Sequence, residues 1–270
     1  MMLLPGELNK FCAGLEITAA LFFYFFTMWV IAPHAGEPWA NGVFVAIIGI
    51  AAVYVFAVSP VIHRDTRAAR GLGVWRSFFI RRDNLRRASI HFGFMTLAGI
   101  AVFVMLALWL NAGFFSRINW TAVRVRFLSY LPYALLQDLF FYGFIFQRML
   151  TILPRPASTG TPGDAQDIAR HRLTIAILMG IIFSACHFPN SAMMLISLVG
   201  GILWTRIFYM TPNMLALVLC HAFLGTTVSK VVCFYTRVGP FYANNDRYVF
   251  VTVLAGIQQW FAGLVKVVAR

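Results

Sequence analysis

Acidic residues are scarce in this chain. Nine Asp and Glu stand against 22 Lys and Arg among 270 residues, and charged residues of all kinds make up 11%. So few charges exclude an ordinary soluble globular domain, in which about a quarter of residues are charged. Cysteine is rarer still: Cys12, Cys186, Cys220 and Cys233 show no CxxC or zinc-ribbon spacing, so no disulfide scaffold or thiolate metal centre is implied. A Walker loop, GxGxxG, HExxH and GxSxG are all missing. Nucleotide hydrolysis, zincin chemistry and a rhomboid-like serine site therefore lack support. No internal repeat is visible, which argues against an inverted-repeat transporter.

What fills the chain is apolar. Apolar residues make up 60%, with 27 Phe, 7 Trp and 9 Tyr, and the mean hydropathy is +0.77. Disorder is excluded, because so much aromatic surface could not stay solvated. The net charge of +13 and a pI near 10.3 would suit a nucleic-acid binder, but the arginines lie between long uncharged runs, as in membrane proteins. The expectation is an all-α polytopic membrane protein without a nucleic-acid partner.

A bilayer core of about 30 Å is crossed by roughly 20 apolar residues. Eight spans are predicted, at 13–32, 41–62, 90–115, 128–152, 173–188, 191–210, 212–236 and 248–265, in a single domain 1–270. The first is too long for a signal-peptide h-region, carries Glu16 and has no small-residue cleavage site. The last is interrupted by Gln258 and Gln259, so an interfacial helix there is the alternative. The connection 63–89 holds eight arginines against Asp65 and Asp83, which by the positive-inside rule makes it cytoplasmic. Both termini and the polar loop 153–172 follow it, and a bacterial inner membrane is the expected location. Within 63–89, Trp75–Arg87 interleaves aromatics with arginines and reads as a surface-lying segment that grips anionic lipid headgroups.

Ionisable groups inside a membrane are costly and are functional candidates by default. Glu16, His91, Arg148 and Arg206 lie near span ends and are read as snorkelling toward the interface. Depth separates Asp138, His187 and His221. At about 1.5 Å per residue they lie roughly 15, 22 and 14 Å into their spans, all near mid-membrane. Mutual proximity is the cheaper arrangement for three such groups. An Asp138–His pair or an Asp138–Tyr142 hydrogen bond is expected.

These residues carry a resemblance. The run Leu135–Arg148, LLQDLFFYGFIFQR, resembles the EExxxR motif of the CAAX-protease and bacteriocin-processing family of glutamic-type intramembrane proteases. Phe183–His187 matches the family's FxxxH, Pro189 and Asn190 suit its turn, and His221–Gly225 is similar to its third motif. The run from Gly200 and Gly201 through Thr211–Asn213 resembles the lead-in to that motif. The resemblance covers about 128–226 and makes 128–236 the motif-bearing core. It implies about eight transmembrane helices around a cavity open to the cytosol and the membrane. It also implies that the first Glu and the FxxxH histidine activate a water, and that the third-motif His and Asn form an oxyanion hole. Such a hole supplies donors where negative charge develops.

The chain departs from this pattern at costly positions. Gln137 occupies the position of the catalytic Glu and cannot take a proton; Asp138, Tyr142 and Gly225 replace the second Glu, the Arg and the oxyanion-hole Asn. The expected function is a membrane scaffold, substrate binder or complex subunit that no longer cuts peptides. Its partners would be lipid and a peptide or membrane protein, and no cofactor or metal is called for. The alternative is an active peptidase in which Asp138 and His187 activate water while His221 assists. A ligand set of Asp138, His187 and His221 for zinc or iron, and a proton relay through Asp138, are two further alternatives.

Overall fold

The computed structural model describes residues 5–35, 37–63, 78–110, 114–156 and 163–232, together with 236, 238 and 239. Helix α1 (Pro5–Phe26) continues through a π-helical turn at Thr27–Ile31, and α2 (Pro38–Val53) through Tyr54–Val58 into Ser59–Ile62. Helix α3 is Leu85–Leu110. Helix α4 (Trp120–Asp138) passes through a π-helical stretch at Leu139–Ile145 into Phe146–Ile152. Helices α5 (Asp164–Ala185), α6 (Ser191–Met210) and α7 (Met214–Thr226) complete the set, α7 extended by Thr227–Val231. No strand occurs among the described residues.

Six of these helices are long and apolar enough to cross a membrane, and the chain is an integral membrane protein. α4 is not among the six; Arg124, Arg126, Gln137, Asp138, Gln147 and Arg148 dilute its hydropathy. The count of eight is therefore not reached among the described residues, and the predicted span 248–265 lies outside them. Large apolar side chains face outward, Phe94 at 71% and Ile50 at 70% exposure, which in water would be prohibitive and in lipid is neutral.

The helix ends follow local rules. Asn119, Asn190 and Asn213 cap α4, α6 and α7, each side-chain oxygen accepting from the backbone N–H three residues on. α5 begins at Asp164, inside the stretch expected to be the polar loop 153–172. Asp164 and Asp167 favour its positive N-terminal end, and no breaker follows. α5 and α6 approach closely where glycine permits it. A Cβ at Gly180 would lie 2.6 Å from Cγ1 of Ile202 and 2.9 Å from the Leu198 carbonyl.

In the described part of Trp75–Arg87 the aromatics are buried rather than surface-lying. Phe78 and Phe79 are 4% and 3% exposed, and Phe79 packs against Phe146 and Phe208. Two buried aromatic rings gain more from the core than from an interface. Phe79 has φ +62°, a strained value for an aromatic residue, and its carbonyl accepts from the Met214 N–H. Asn213 Nδ2 donates to the Arg81 carbonyl and to Asn84 Oδ1, each at 2.8 Å, and so pins this segment to the start of α7. Arg82, Arg86 and Arg87 remain exposed; 64–77 lies outside the described residues.

Candidate functional site

The π-helical stretch begins immediately after Asp138, in the middle of the EExxxR-like motif. Such stretches change the phase of a helix and cluster at functional sites. Ahead of it, Arg126, Tyr130, Tyr133 and Gln137 recur at helical spacing and all line one cavity. Asp138, about 100° further around the helix, turns away from that cavity toward α7. It is 1% exposed, and its Oδ1 accepts from Nδ1 of His221 at 3.0 Å. Among the described residues neither Asp138 Oδ2 nor Gln137 Oε1 has a hydrogen-bond partner.

With Nδ1–H given to Asp138, His221 presents Nε2 to the hydroxyl of Tyr130 at 3.5 Å. That distance is at the limit of a hydrogen bond. His187 is fixed differently. Its Nδ1–H donates to the Phe183 carbonyl at 2.8 Å, which also leaves Nε2 bare. Phe183 stands edge-on to both rings, with centroids 5.1 Å from His187 and 6.0 Å from His221. Spans four, five and seven thus meet as expected, and the Asp–His pair forms with His221 rather than His187.

The cavity has a volume of about 710 Å³. Its polar side carries Arg126, Tyr130, Tyr133, Gln137, His187 and His221, and among the described residues its lining contains no Asp or Glu. The opposite wall is apolar, from Met95, Val102 and Leu106 of α3 to Leu195, Val199 and Leu203 of α6. Val102, Leu195 and Val199 are also at least half exposed on the outer surface. The cavity is thus lined on this side by accessible apolar side chains of α3 and α6.

Two other expectations change. Tyr142 does not bond Asp138; its hydroxyl pairs with Thr205 Oγ1 of α6 at 3.2 Å. Glu16 and Arg148 do not snorkel either. They are 6% and 2% exposed, and Arg148 Nε meets Glu16 Oε2 at 2.7 Å. Tyr54 and Ser59 donate to the same carboxylate, and His63 Nε2 lies 3.1 Å from it. An unpaired charge in the membrane interior costs more than ordering this cluster of α1, α2 and α4. Arg206 is exposed, and His91 meets Thr211 Oγ1 at 3.4 Å.

The sequence reading missed Tyr130 and Trp204. Trp204 lies 4.8 Å from the His221 ring and donates Nε1–H to Cys220 Sγ at 3.3 Å. The signal for Tyr130 was present in the 126, 130, 133, 137 spacing. Position 225 is closed by the same tyrosine: a Cβ there would lie 2.5 Å from Cε1 of Tyr130 and 3.1 Å from its hydroxyl. Among the described residues no group of three or more His, Cys, Asp or Glu side chains is arranged to hold a metal ion.

Residues 119–227 match a family model described as Rce1-like, type II CAAX prenyl endopeptidase. The segment contains all three motifs and the cavity-lining face of α4. Comparison with curated proteins and with solved structures gives no match.

Proposed function

We propose that this chain is a membrane-embedded relative of the CAAX endopeptidases that holds an apolar peptide segment in the α3–α6 cavity without hydrolysing it. One observation carries the reading: among the described residues the cavity lining contains no carboxylate. Gln137 stands where the family's first Glu would be, and Asp138 is turned behind the wall into its bond with His221. A water in the cavity thus meets hydrogen-bond partners but no acidic base of the family type. The volume suits a ligand of a few residues, since binding cavities run from about 300 to 1,000 Å³. The accessible apolar wall suits one that arrives through lipid. The whole chain then acts as one transmembrane binding unit or as a subunit of a larger complex. The arginines of 63–89 support a cytoplasmic placement of that connection against anionic headgroups, with both termini on the same side, in a bacterial inner membrane.

A second reading rests on the Asp138–His221 distance. A histidine held by a carboxylate through Nδ1, with Nε2 free toward a cavity, is a general base of the Asp–His type. It would take a proton from water directly, with His187 Nε2 on the other side of Phe183. The test uses the full chain in lipid nanodiscs with a fluorescent, S-farnesylated CAAX peptide. Saturable binding with no cleaved product by mass spectrometry supports the first reading. Product formation that disappears in Asp138→Asn selects the second. A chain that neither binds nor cleaves the peptide sinks both.

A further inference from the structure

The glycine at the third motif looks like a loss when read along the chain, because the amide donor expected there is gone. The fold shows what occupies its place. The ring of Tyr130, one helix away, lies so close that a Cβ at 225 would sit 2.5 Å from Cε1 and 3.0 Å from Cζ. Real Cβ atoms do not approach that closely, so a side chain at 225 requires the Tyr130 ring to shift. The tyrosine is held from three sides. Tyr133 packs on it at 5.3 Å, the Arg126 guanidinium lies 4.7 Å over its ring, and His221 meets it edge-on at 5.7 Å. Its hydroxyl faces the cavity beside His221 Nε2, at a distance too long for a strong bond. A half-buried hydroxyl with a weak partner is poised to take a better one.

We propose that the Tyr130 hydroxyl is the donor that stands in, in space and in function, for the side chain missing at Gly225. It holds a peptide carbonyl oxygen of the bound segment beside His221. This rests on the peptide-binding reading above and names the group of the ligand that the site grips. Tyr130 is therefore a binding residue supplied by α4 for a position that the motif places on α7. The motif has lost a side chain and the cavity has kept a donor.

The experiment measures binding of the fluorescent S-farnesylated CAAX peptide to nanodisc-embedded full-length chains. Tyr130→Phe keeps the ring, its packing and the closed space at 225, and removes only the hydroxyl. The expected result is an unchanged thermal unfolding midpoint with affinity weakened about 3- to 10-fold, the worth of one neutral hydrogen bond. A companion pair tests the space. Gly225→Asn alone should unfold at lower temperature, whereas Tyr130→Ala combined with Gly225→Asn should recover both the midpoint and part of the affinity. Equal affinity of wild type and Tyr130→Phe overturns the proposal and leaves the binding reading intact. Gly225→Asn tolerated without any change at Tyr130 overturns it as well. A wild type that does not bind the peptide removes the binding reading and this proposal with it.

Discussion

Asp138 and His221, 83 positions apart, meet at 3.0 Å inside the helical bundle with 1% and 4% of their surface exposed. The carboxylate accepts a hydrogen bond from Nδ1–H, so the imidazole turns Nε2 toward Tyr130 and the cavity. Asp138 therefore acts on anything in the cavity through the histidine. This arrangement separates the acid's structural value from any chemical one.

Asp138→Ala should destabilise the chain by about 3 kcal/mol, because it strands a buried His221 donor without a partner. Asp138→Asn keeps an acceptor oxygen at the same place and should cost about 1 kcal/mol. Thermal unfolding in mild detergent checks the order. Equal effects would mean that the Nδ1 bond does not stabilise the fold.

Among the described residues the cavity lining lacks a carboxylate, and Gln137→Glu places one on a residue that lines it. If the chain is inactive for want of a base, this variant should cleave the farnesylated peptide at a rate about 10²–10⁴-fold above wild-type background. Addition of Gly225→Asn should not help unless Tyr130 is also made small, given the 2.5 Å approach. Mass spectrometry of the products decides.

Glu16 and Arg148 tie the first helix to the end of the fourth. Removing either partner alone, as Glu16→Ala or Arg148→Ala, should cost about 3–5 kcal/mol, since the other charge is left buried. The paired change Glu16→Leu with Arg148→Met should cost much less than the two single changes added together. A double-mutant cycle that is simply additive would show that the two groups do not interact.

Two glycines should respond in opposite directions to alanine. Gly180→Ala forces a methyl group against Ile202 and the Leu198 carbonyl, and should destabilise by about 1–3 kcal/mol. Gly93→Ala in α3 meets nothing within 4 Å and should stabilise by about 0.5–1 kcal/mol through reduced backbone freedom. Unfolding midpoints of the two variants measure the difference in sign.

Long apolar runs were enough to establish the helices, since crossing a bilayer is a matter of length and transfer free energy along one segment. The expected depth of Asp138, His187 and His221 was counted the same way, from a fixed rise per residue, but α5 runs Asp164–Ala185 and His187 lies in the turn after it. The partner of each polar group could not be read that way. Asp138 paired with His221 of α7 and Tyr142 with Thr205 of α6 because those helices pack against α4, which the period of one helix does not reveal. Glu16 and Arg148 looked like separate span-end residues until packing placed them 2.7 Å apart. Phe78 and Phe79 looked interfacial until the chain turned them into the core. Composition and periodicity act within one helix and set its existence and depth. The helix crossings bring residues far apart in the chain into contact, and they decided which side chain faces the cavity, which charge is neutralised, and that Tyr130 fills the space beside Gly225.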